Sequence, residues 1–197
     1  MPLHPFSSNE LRAIAISNFD KIMLYCQVAG TPGSEERGLE IAQEILRTGL
    51  EMATLRDEIY CQLIKQASNN KYDRVPTDCL VTILTCECES RKNAARVWEL
   101  IAFCLGCFLP SNTLDKYLQA FLHEQSQVEG EIGEWARYCL DRVEKALQTS
   151  KRLFVPVLRE LSFVQVRCRQ AVAASAVDVD DADTADDAAL QTRNANR

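Results

Sequence analysis

Long apolar runs are absent from this sequence. No stretch of its 197 residues approaches the roughly 18 consecutive apolar residues of a membrane-spanning helix. The first residues, Met-Pro-Leu-His-Pro-Phe, contain neither a basic region nor an apolar run, so no secretory signal is visible. Both absences predict a cytoplasmic chain without a membrane span.

Histidine and the glycine motifs that bind phosphate are also scarce. The two histidines, His4 and His123, have no obvious nucleophile near them in sequence, and both are interpreted as surface residues. The chain has no phosphate-cradling glycine loop and no dinucleotide fingerprint. We therefore expect no enzyme activity and no cofactor.

An excess of positive charge is missing as well. The formal net charge is −6, and residues 176–197 alone hold six aspartates against two arginines. The rest of the chain is close to balanced, and its basic clusters lack the interleaved aromatic residues on which single-stranded nucleic acid would stack. A nucleic-acid partner is therefore not expected.

Cysteine, by contrast, is plentiful, with nine in the chain. Most of the cysteines lie within apolar, periodic segments, which is typical of reduced, buried thiols rather than of disulfides. A less favoured alternative is a metal-binding or redox-regulated protein using Cys79, Cys86, Cys88, Cys104 and Cys107. Their spacing matches no common zinc site, so no metal is predicted.

Apolar residues recur at helical spacing through most of the chain, which predicts an all-α fold, a single compact multi-helix bundle. Capping patterns predict helix starts at Ser7 and Ser34, and Gly49 is predicted to end the second helix. Residues 123–133 and 152–156 are predicted loops. The predicted helices span Ser7 to Val28, Ser34 to Gly49, 54–67, 76–84, Ser90 to Phe108, Ser111 to Leu122, Glu134 to Leu147 and Val157 to Ala173.

The helix at 54–67 has the clearest pattern. Leu55, Ile59 and Leu63 recur every four residues and form one apolar face. Thr54 and Asp57 match the spacing of a capping pair at the start of this helix. We expect the helix to be buried on its apolar side. Its polar residues either face water or hold neighbouring loops through hydrogen bonds.

The two ends of the chain differ in composition from this helical part. Residues 1–7 are predicted to be a flexible start. Residues 174–197 contain one leucine and no aromatic residue, so they have too little apolar area to offset the entropy of ordering. They are predicted to form a disordered acidic tail, which leaves residues 8–173 as the helical domain.

Basic clusters at the starts and ends of the later helices are the candidate binding surface. Such clusters suit an acidic protein surface. The candidate partner-binding residues are Arg91, Lys92, Arg96, Arg142, Lys145, Lys151 and Arg152.

Four motifs, in order, resemble the myosin tail homology 4 (MyTH4) domain of unconventional myosin and kinesin tails. The first is LRDEIYCQLIKQ at 55–66, and the second is RVWELIAFCLGCFLPS at 96–111. Residues 114–122 resemble the leucine-rich helix that follows in this family. The closing segment is matched by Tyr138-Cys-Leu with Arg142 and Lys145, and then by Arg152-x-x-x-Pro156-x-x-x-Glu160.

The resemblance implies a non-catalytic helical module that binds microtubules or an acidic segment of a cargo protein. It implies a cytoplasmic, cytoskeleton-associated protein, and we expect a monomer. It also assigns framework roles, rather than partner contacts, to the motif residues Arg56, Asp57, Glu58, Tyr60, Gln62, Trp98 and Pro110.

The sequence departs from the family pattern at several places. Val97 stands where the family usually has glycine, and Leu109 stands where it usually has proline. Residues 73–91 are interpreted as an insertion between the first two motifs. No FERM domain, which commonly follows in this family, comes after Glu160. An alternative is therefore a structural fragment of a larger motor or adaptor tail that packs on a neighbouring domain.

Overall fold

Helices occupy most of the chain that the computed structural model describes, which is residues 2, 6, 8–27, 33–68, 94–148 and 152–174. No strand occurs within these ranges, and the predicted all-α fold is confirmed. In chain order the helices are α1 (Asn9–Gln27), α2 (Ser34–Glu51), a one-turn 3₁₀ helix (Ala53–Leu55), α3 (Arg56–Ser68), α4 (94–105), α5 (Asn112–Ser126), α6 (Glu131–Gln148) and α7 (158–174).

Helix α4 is the central helix of the bundle. Trp98, Ile101 and Leu105 are at most 1% exposed. Leu100 and Phe103, on its other faces, are buried to the same extent. A helix that is apolar on every side belongs in the interior. Burying each of these side chains stabilises the fold by roughly 1.5–3 kcal/mol.

Both ends of α2 differ from the sequence prediction. The N-cap is Gly33, at a φ of 79°, and not Ser34, which is the first helical residue. Gly49 does not end the helix, which continues to Glu51. Instead Gly49 gives space to an aromatic ring, since a Cβ atom there would lie 2.2 Å from Cζ of Phe108. The glycine serves close packing rather than helix termination.

The predicted loop at 123–133 is much shorter in the structure, because α5 continues to Ser126 and α6 begins at Glu131. The guanidinium of Arg137 donates a 2.5 Å hydrogen bond to the carbonyl oxygen of Ser126 across the turn. Gly130 adopts a φ of 87°, a left-handed conformation that glycine adopts without strain. This tight turn places α5 and α6 side by side.

Other predicted features lie outside the described residues. These include the capping role of Ser7, the helix at 76–84, the insertion at 73–91 and the acidic tail from residue 175 onward. At the start of α1, the Ser8 hydroxyl accepts a 3.2 Å hydrogen bond from the backbone N–H of Glu10. The last helix, predicted to run from Val157 to Ala173, occupies 158–174.

A charged network joins four helices around the carboxylate of Glu99 on α4, which is 1% exposed. The Tyr25 hydroxyl on α1 donates to Glu99 at 2.6 Å, and Arg169 on α7 donates to it at 2.8 Å. Arg96 lies 3.7 Å from the same carboxylate and 3.1 Å from Glu35 on α2. Burial and the adjacent Glu99 charge raise the pKa of Tyr25 well above its usual range.

Candidate protein-binding groove

A groove of about 680 Å³ opens where the C-terminal half of α6 meets the connection between α4 and α5. The chain after residue 152 forms another wall. Basic side chains outnumber acidic ones in the lining, which also has a large apolar part. The basic residues are Arg56, Arg142, Lys145 and Arg152, the acidic residue is Asp115, and the larger apolar residues are Leu50, Leu105, Phe108, Leu109, Leu147 and Leu153.

Helix α3 fixes the α4–α5 connection, residues 106–111, that lines this groove. The Tyr60 hydroxyl donates a 2.7 Å hydrogen bond to the carbonyl oxygen of Phe108, and the two rings pack edge to face. The carboxylate of Asp57 accepts hydrogen bonds from the Ser111 backbone N–H at 2.7 Å and from its hydroxyl at 2.6 Å. The shape of the groove therefore depends on the first sequence motif.

The start of α3 differs from the predicted capping pair. Thr54 lies within the 3₁₀ helix ahead of α3, and the Asp57 carboxylate is used for Ser111. Arg56 instead completes the end of α2, because its Nε donates a 2.7 Å hydrogen bond to the carbonyl oxygen of Gly49. That bond satisfies a carbonyl at the end of a helix, where no intrahelical donor is available.

The other residues assigned to the framework also make internal contacts. Gln62 donates to the buried carboxylate of Glu58 at 2.8 Å and to the carbonyl oxygen of Ala15 on α1 at 3.1 Å. Trp98 stacks on Phe121 of α5 with their rings 5.7 Å apart. Pro110 is buried in the α4–α5 connection. These side chains bind other parts of the same chain.

Arg142 lies half-buried along the groove because a glycine faces it. A Cβ atom at Gly106 would lie 2.2 Å from Nη2 of Arg142, so a larger residue there would displace the guanidinium. The guanidinium also lies 6.0 Å from the centre of the Tyr138 ring, which is within the range of a cation–π contact. Gly106 and Tyr138 together position this charge in the groove.

The two other predicted residues that line the groove, Lys145 and Arg152, are held by acidic neighbours. Lys145, 67% exposed, forms an ion pair with Asp141 one turn earlier on α6. Arg152 binds both carboxylate oxygens of Glu160 at 2.6 Å, which ties the groove wall to the start of α7. The exposed pair between Lys145 and Asp141 contributes little to stability.

The thiol of Cys107 lies beside this group of charges. Burial raises its pKa to about 11, although the positive charges of Arg152 and Arg142 act in the opposite direction. The thiol is therefore protonated at neutral pH and is a poor nucleophile or metal ligand. Cys107, Arg142 and Arg152 all line the groove.

Arg96, the other predicted partner-binding residue that the structure describes, does not line the groove. Arg96 is 5% exposed, ion-paired with Glu35, and lies 5.2 Å from the centre of the Tyr25 ring. A partner would have to break those contacts to reach it, so we remove Arg96 from the candidate surface. Arg91, Lys92 and Lys151 lie outside the described residues.

Exposed apolar side chains beside the groove were missed at the sequence level. Leu147 is 61% exposed, and Leu153 is 81% exposed. Phe154 and Val157 follow in the same exposed segment. The run Leu-Phe-Val-Pro at 153–156 was interpreted only as a loop. An apolar loop beside a basic helix end was the sequence signal for this candidate site.

The cysteines of the described chain are free thiols, and most of them are buried. Burial raises the pKa of Cys104 as well as that of Cys107. Among the described residues, no group of three or more potential metal ligands comes together. Cys79, Cys86 and Cys88, the other members of the proposed metal or redox set, lie outside those residues.

Comparison with known proteins identifies the family of this bundle. The model of the MyTH4 domain matches residues 42–162, which include the α3 motif, the α4–α5 connection and the groove. The chain belongs to the MyTH4 domain family. The resemblance inferred from the four sequence motifs is therefore confirmed.

Similar proteins include myosin-VIIa of Drosophila melanogaster, 34% identical over 123 residues, and unconventional myosin heavy chain 6 of Caenorhabditis elegans, 36% identical over 118 residues. These matches cover 62% and 59% of this MyTH4 chain but only 5% of each relative. No described helix is long and apolar enough to cross a membrane.

Solved MyTH4-FERM structures share the fold. One from Dictyostelium discoideum myosin VII, the MF1 domain, has a TM-score of 0.68 and 27% identity, with 84% of this chain and 31% of that chain covered. The human myosin 7b C-terminal MyTH4-FERM domain, in complex with the harmonin-a PDZ3 domain, has a TM-score of 0.60 and 25% identity. The match covers 81% of this chain and 28% of the myosin 7b chain.

Proposed function

We propose that this MyTH4 domain is a non-catalytic, cytoskeleton-associated adaptor that binds an acidic, leucine-containing segment of a partner protein. The observation that carries this proposal is the groove itself, in which Arg142, Lys145 and Arg152 stand beside Leu147 and Leu153. Basic side chains would attract the segment, and burial of its apolar side chains would supply affinity. We propose that the domain acts as a monomer in the cytoplasm.

The lining favours a protein segment over a flat acidic surface. Leu147 and Leu153 are 61% and 81% exposed, and an inserted apolar side chain would cover them. A microtubule surface would use the basic residues without needing these leucines. Microtubules therefore remain the alternative partner, and the two are distinguished by whether binding depends on apolar residues in the ligand.

The test uses a fluorescent peptide of about 15 residues that is rich in Asp and Glu and contains two leucines. Affinity for the full chain is compared with affinity for R142E/K145E. We expect at least a tenfold loss, equivalent to about 1.4 kcal/mol, because two attractive charges become repulsive. Arg152 is left unchanged, since its reversal would break the pair with Glu160.

Two controls make the result specific. R12E/K65E reverses two exposed charges that do not line the groove and should leave the affinity unchanged. A peptide with both leucines replaced by serine should bind the unmodified chain more weakly. Equal binding by R142E/K145E and the unmodified chain would reject the groove. The microtubule alternative would be favoured by two results together. Co-sedimentation with microtubules would be lost in R142E/K145E, and replacing the leucines of the peptide with serine would not change its affinity.

A second candidate function is supported by exposed apolar residues farther along the chain. Phe163 and Val166 of α7 are 62% and 50% exposed, and they follow the exposed Phe154 and Val157. Such residues suit an interface with an adjoining domain of a longer chain. If so, hydrogen exchange around 154–166 should slow when the chain is produced with the sequence that adjoins it. Unchanged exchange there would argue against this second function.

A further inference from the structure

The groove has chemistry that matches a segment of this same chain. Among the residues that line the groove, four are basic and one is acidic, and Leu147 and Leu153 are exposed apolar residues. Residues 178–187 contain six aspartates and no basic residue. Val177 and Leu190 add apolar side chains at the flanks, and Val179 adds one within this stretch. This acidic segment, residues 176–190, thus combines the charge and the apolar groups expected of a groove ligand.

The acidic segment can also reach the groove. The wall at 152–153 comes directly before α7, and the 17 residues of α7 extend the chain by about 25 Å, at about 1.5 Å per residue. A chain that turns back after residue 174 spans that length with about eight extended residues, at about 3.3 Å each. Residues 183–190 are therefore within reach of the groove, even if the first aspartates run alongside α7.

We propose that the acidic segment 176–190 turns back along α7, that its residues 183–190 occupy the groove in the free protein, and that they compete there with the partner. This inference rests on the proposed function, because it assigns a regulatory ligand to the same site. A tethered segment acts at an effective concentration of about 1 mM. If the free segment binds with a dissociation constant of about 0.1 mM, the tether weakens partner binding about tenfold.

The experiment compares the full chain with a full-chain variant whose segment has lost its charge. The variant carries D178N, D180N, D181N, D183N, D186N and D187N. The probe is a fluorescent synthetic peptide with the sequence of residues 176–190, and its affinity is measured by fluorescence anisotropy. We expect the probe to bind the asparagine variant about tenfold more tightly than the unmodified chain, because its own segment no longer competes.

The groove substitutions separate competition in the groove from general charge repulsion. In the R142E/K145E background, the six asparagine substitutions should leave the weak affinity for the probe unchanged. A tenfold gain that persists in that background would overturn the inference, since the effect would not pass through the groove. The gain should also shrink as salt rises from 50 to 500 mM, because salt screens the exposed charges.

The remaining outcomes distinguish this inference from the proposed function. Equal affinity of the unmodified chain and the asparagine variant overturns self-occupancy. If R142E/K145E then still weakens binding of the acidic, leucine-containing peptide, the groove stands as a partner site. If neither chain binds either peptide, both the inference and the proposed function are wrong.

Discussion

Two glycines in this domain act by leaving space for a neighbouring side chain. Gly49 admits the ring of Phe108, and Gly106 admits the guanidinium of Arg142. In both cases the space left by the absent side chain is filled by a residue that lines the groove. The geometry of the site thus depends on two positions that contribute no binding group.

The substitution Gly49→Ala tests this packing. Alanine ordinarily favours a helix interior over glycine by about 1 kcal/mol. Here the added Cβ would lie 2.2 Å from Cζ of Phe108, so we expect a net destabilisation of about 1–3 kcal/mol in urea unfolding. Arg47→Ala, at an exposed position of the same helix, should change stability by less than about 0.5 kcal/mol. A stabilised Gly49→Ala protein would contradict the packing account.

Local sequence rules failed at residues whose role is set by distant parts of the chain. Thr54 and Asp57 have the spacing of a capping pair, but the Asp57 carboxylate bonds Ser111, which is 54 positions away. Arg96 carries a charge and was expected at the surface, but it is buried and forms ion pairs with Glu35 and Glu99. No short-range pattern contains that information.

At the scale of elements, the positions of most helices were predictable from the sequence, but the way the helices pack together was not. The apolar periodicity of α3, α6 and α7 gave their positions to within a few residues. The central place of α4 was not predicted, although Leu100 and Phe103 make the helix apolar on more than one face. The groove was missed for a related reason: its walls are brought together only by packing.

Helix α7 is joined to the bundle in part by Arg169, which binds Glu99 and Glu35. Arg169→Met would leave the buried Glu99 carboxylate with less positive charge around it. We expect a loss of about 1–3 kcal/mol in urea unfolding, below the usual cost of breaking a buried pair, because Arg169 is 45% exposed and Arg96 remains.

A neighbouring position gives the control for this substitution. Arg167→Met removes an exposed arginine from the same helix, and the expected change is within about 0.5 kcal/mol. Replacing Glu99 with glutamine in the Arg169→Met protein should recover part of the loss, since the buried charge is then gone. Equal effects of the two arginine substitutions would show that Arg169 acts only as a surface residue.

For the whole molecule, the buried thiols and phenols make the free energy of unfolding depend on pH in the alkaline range. Burial raises the pKa of Cys107 from 9.0 to about 11 and the pKa of Cys26 to about 12. Between pH 9.0 and these raised pKa values, the unfolded chain has lost thiol protons that the folded chain retains. The contribution is therefore complete below pH 9, and it is lost as pH rises through the folded pKa.

We expect the free energy of unfolding to fall between pH 9 and pH 11, with Cys107 contributing on the order of 2–3 kcal/mol. Cys107→Ala should have a shallower dependence over this range, whatever its stability at pH 7. Urea unfolding at pH 7.5, 9, 10 and 11 measures both slopes. Identical slopes would mean that the Cys107 thiol is not protected from ionisation in the fold.

At the same scale, the basic groove is the central functional claim. Its residues come from α6, from the α4–α5 connection and from the segment before α7, and α3 holds that connection in place. Three of the seven basic residues proposed from the sequence line it. The exposed leucines beside them were not predicted from the sequence and were found only in the structure.

Hydrogen–deuterium exchange of the full chain, with and without the acidic, leucine-containing peptide, tests this claim most directly. We expect slower exchange at 106–111 and along the C-terminal half of α6, and no such change in R142E/K145E. Slower exchange confined to α1 and α2, or unchanged exchange at 106–111 when the peptide is bound, would contradict the account.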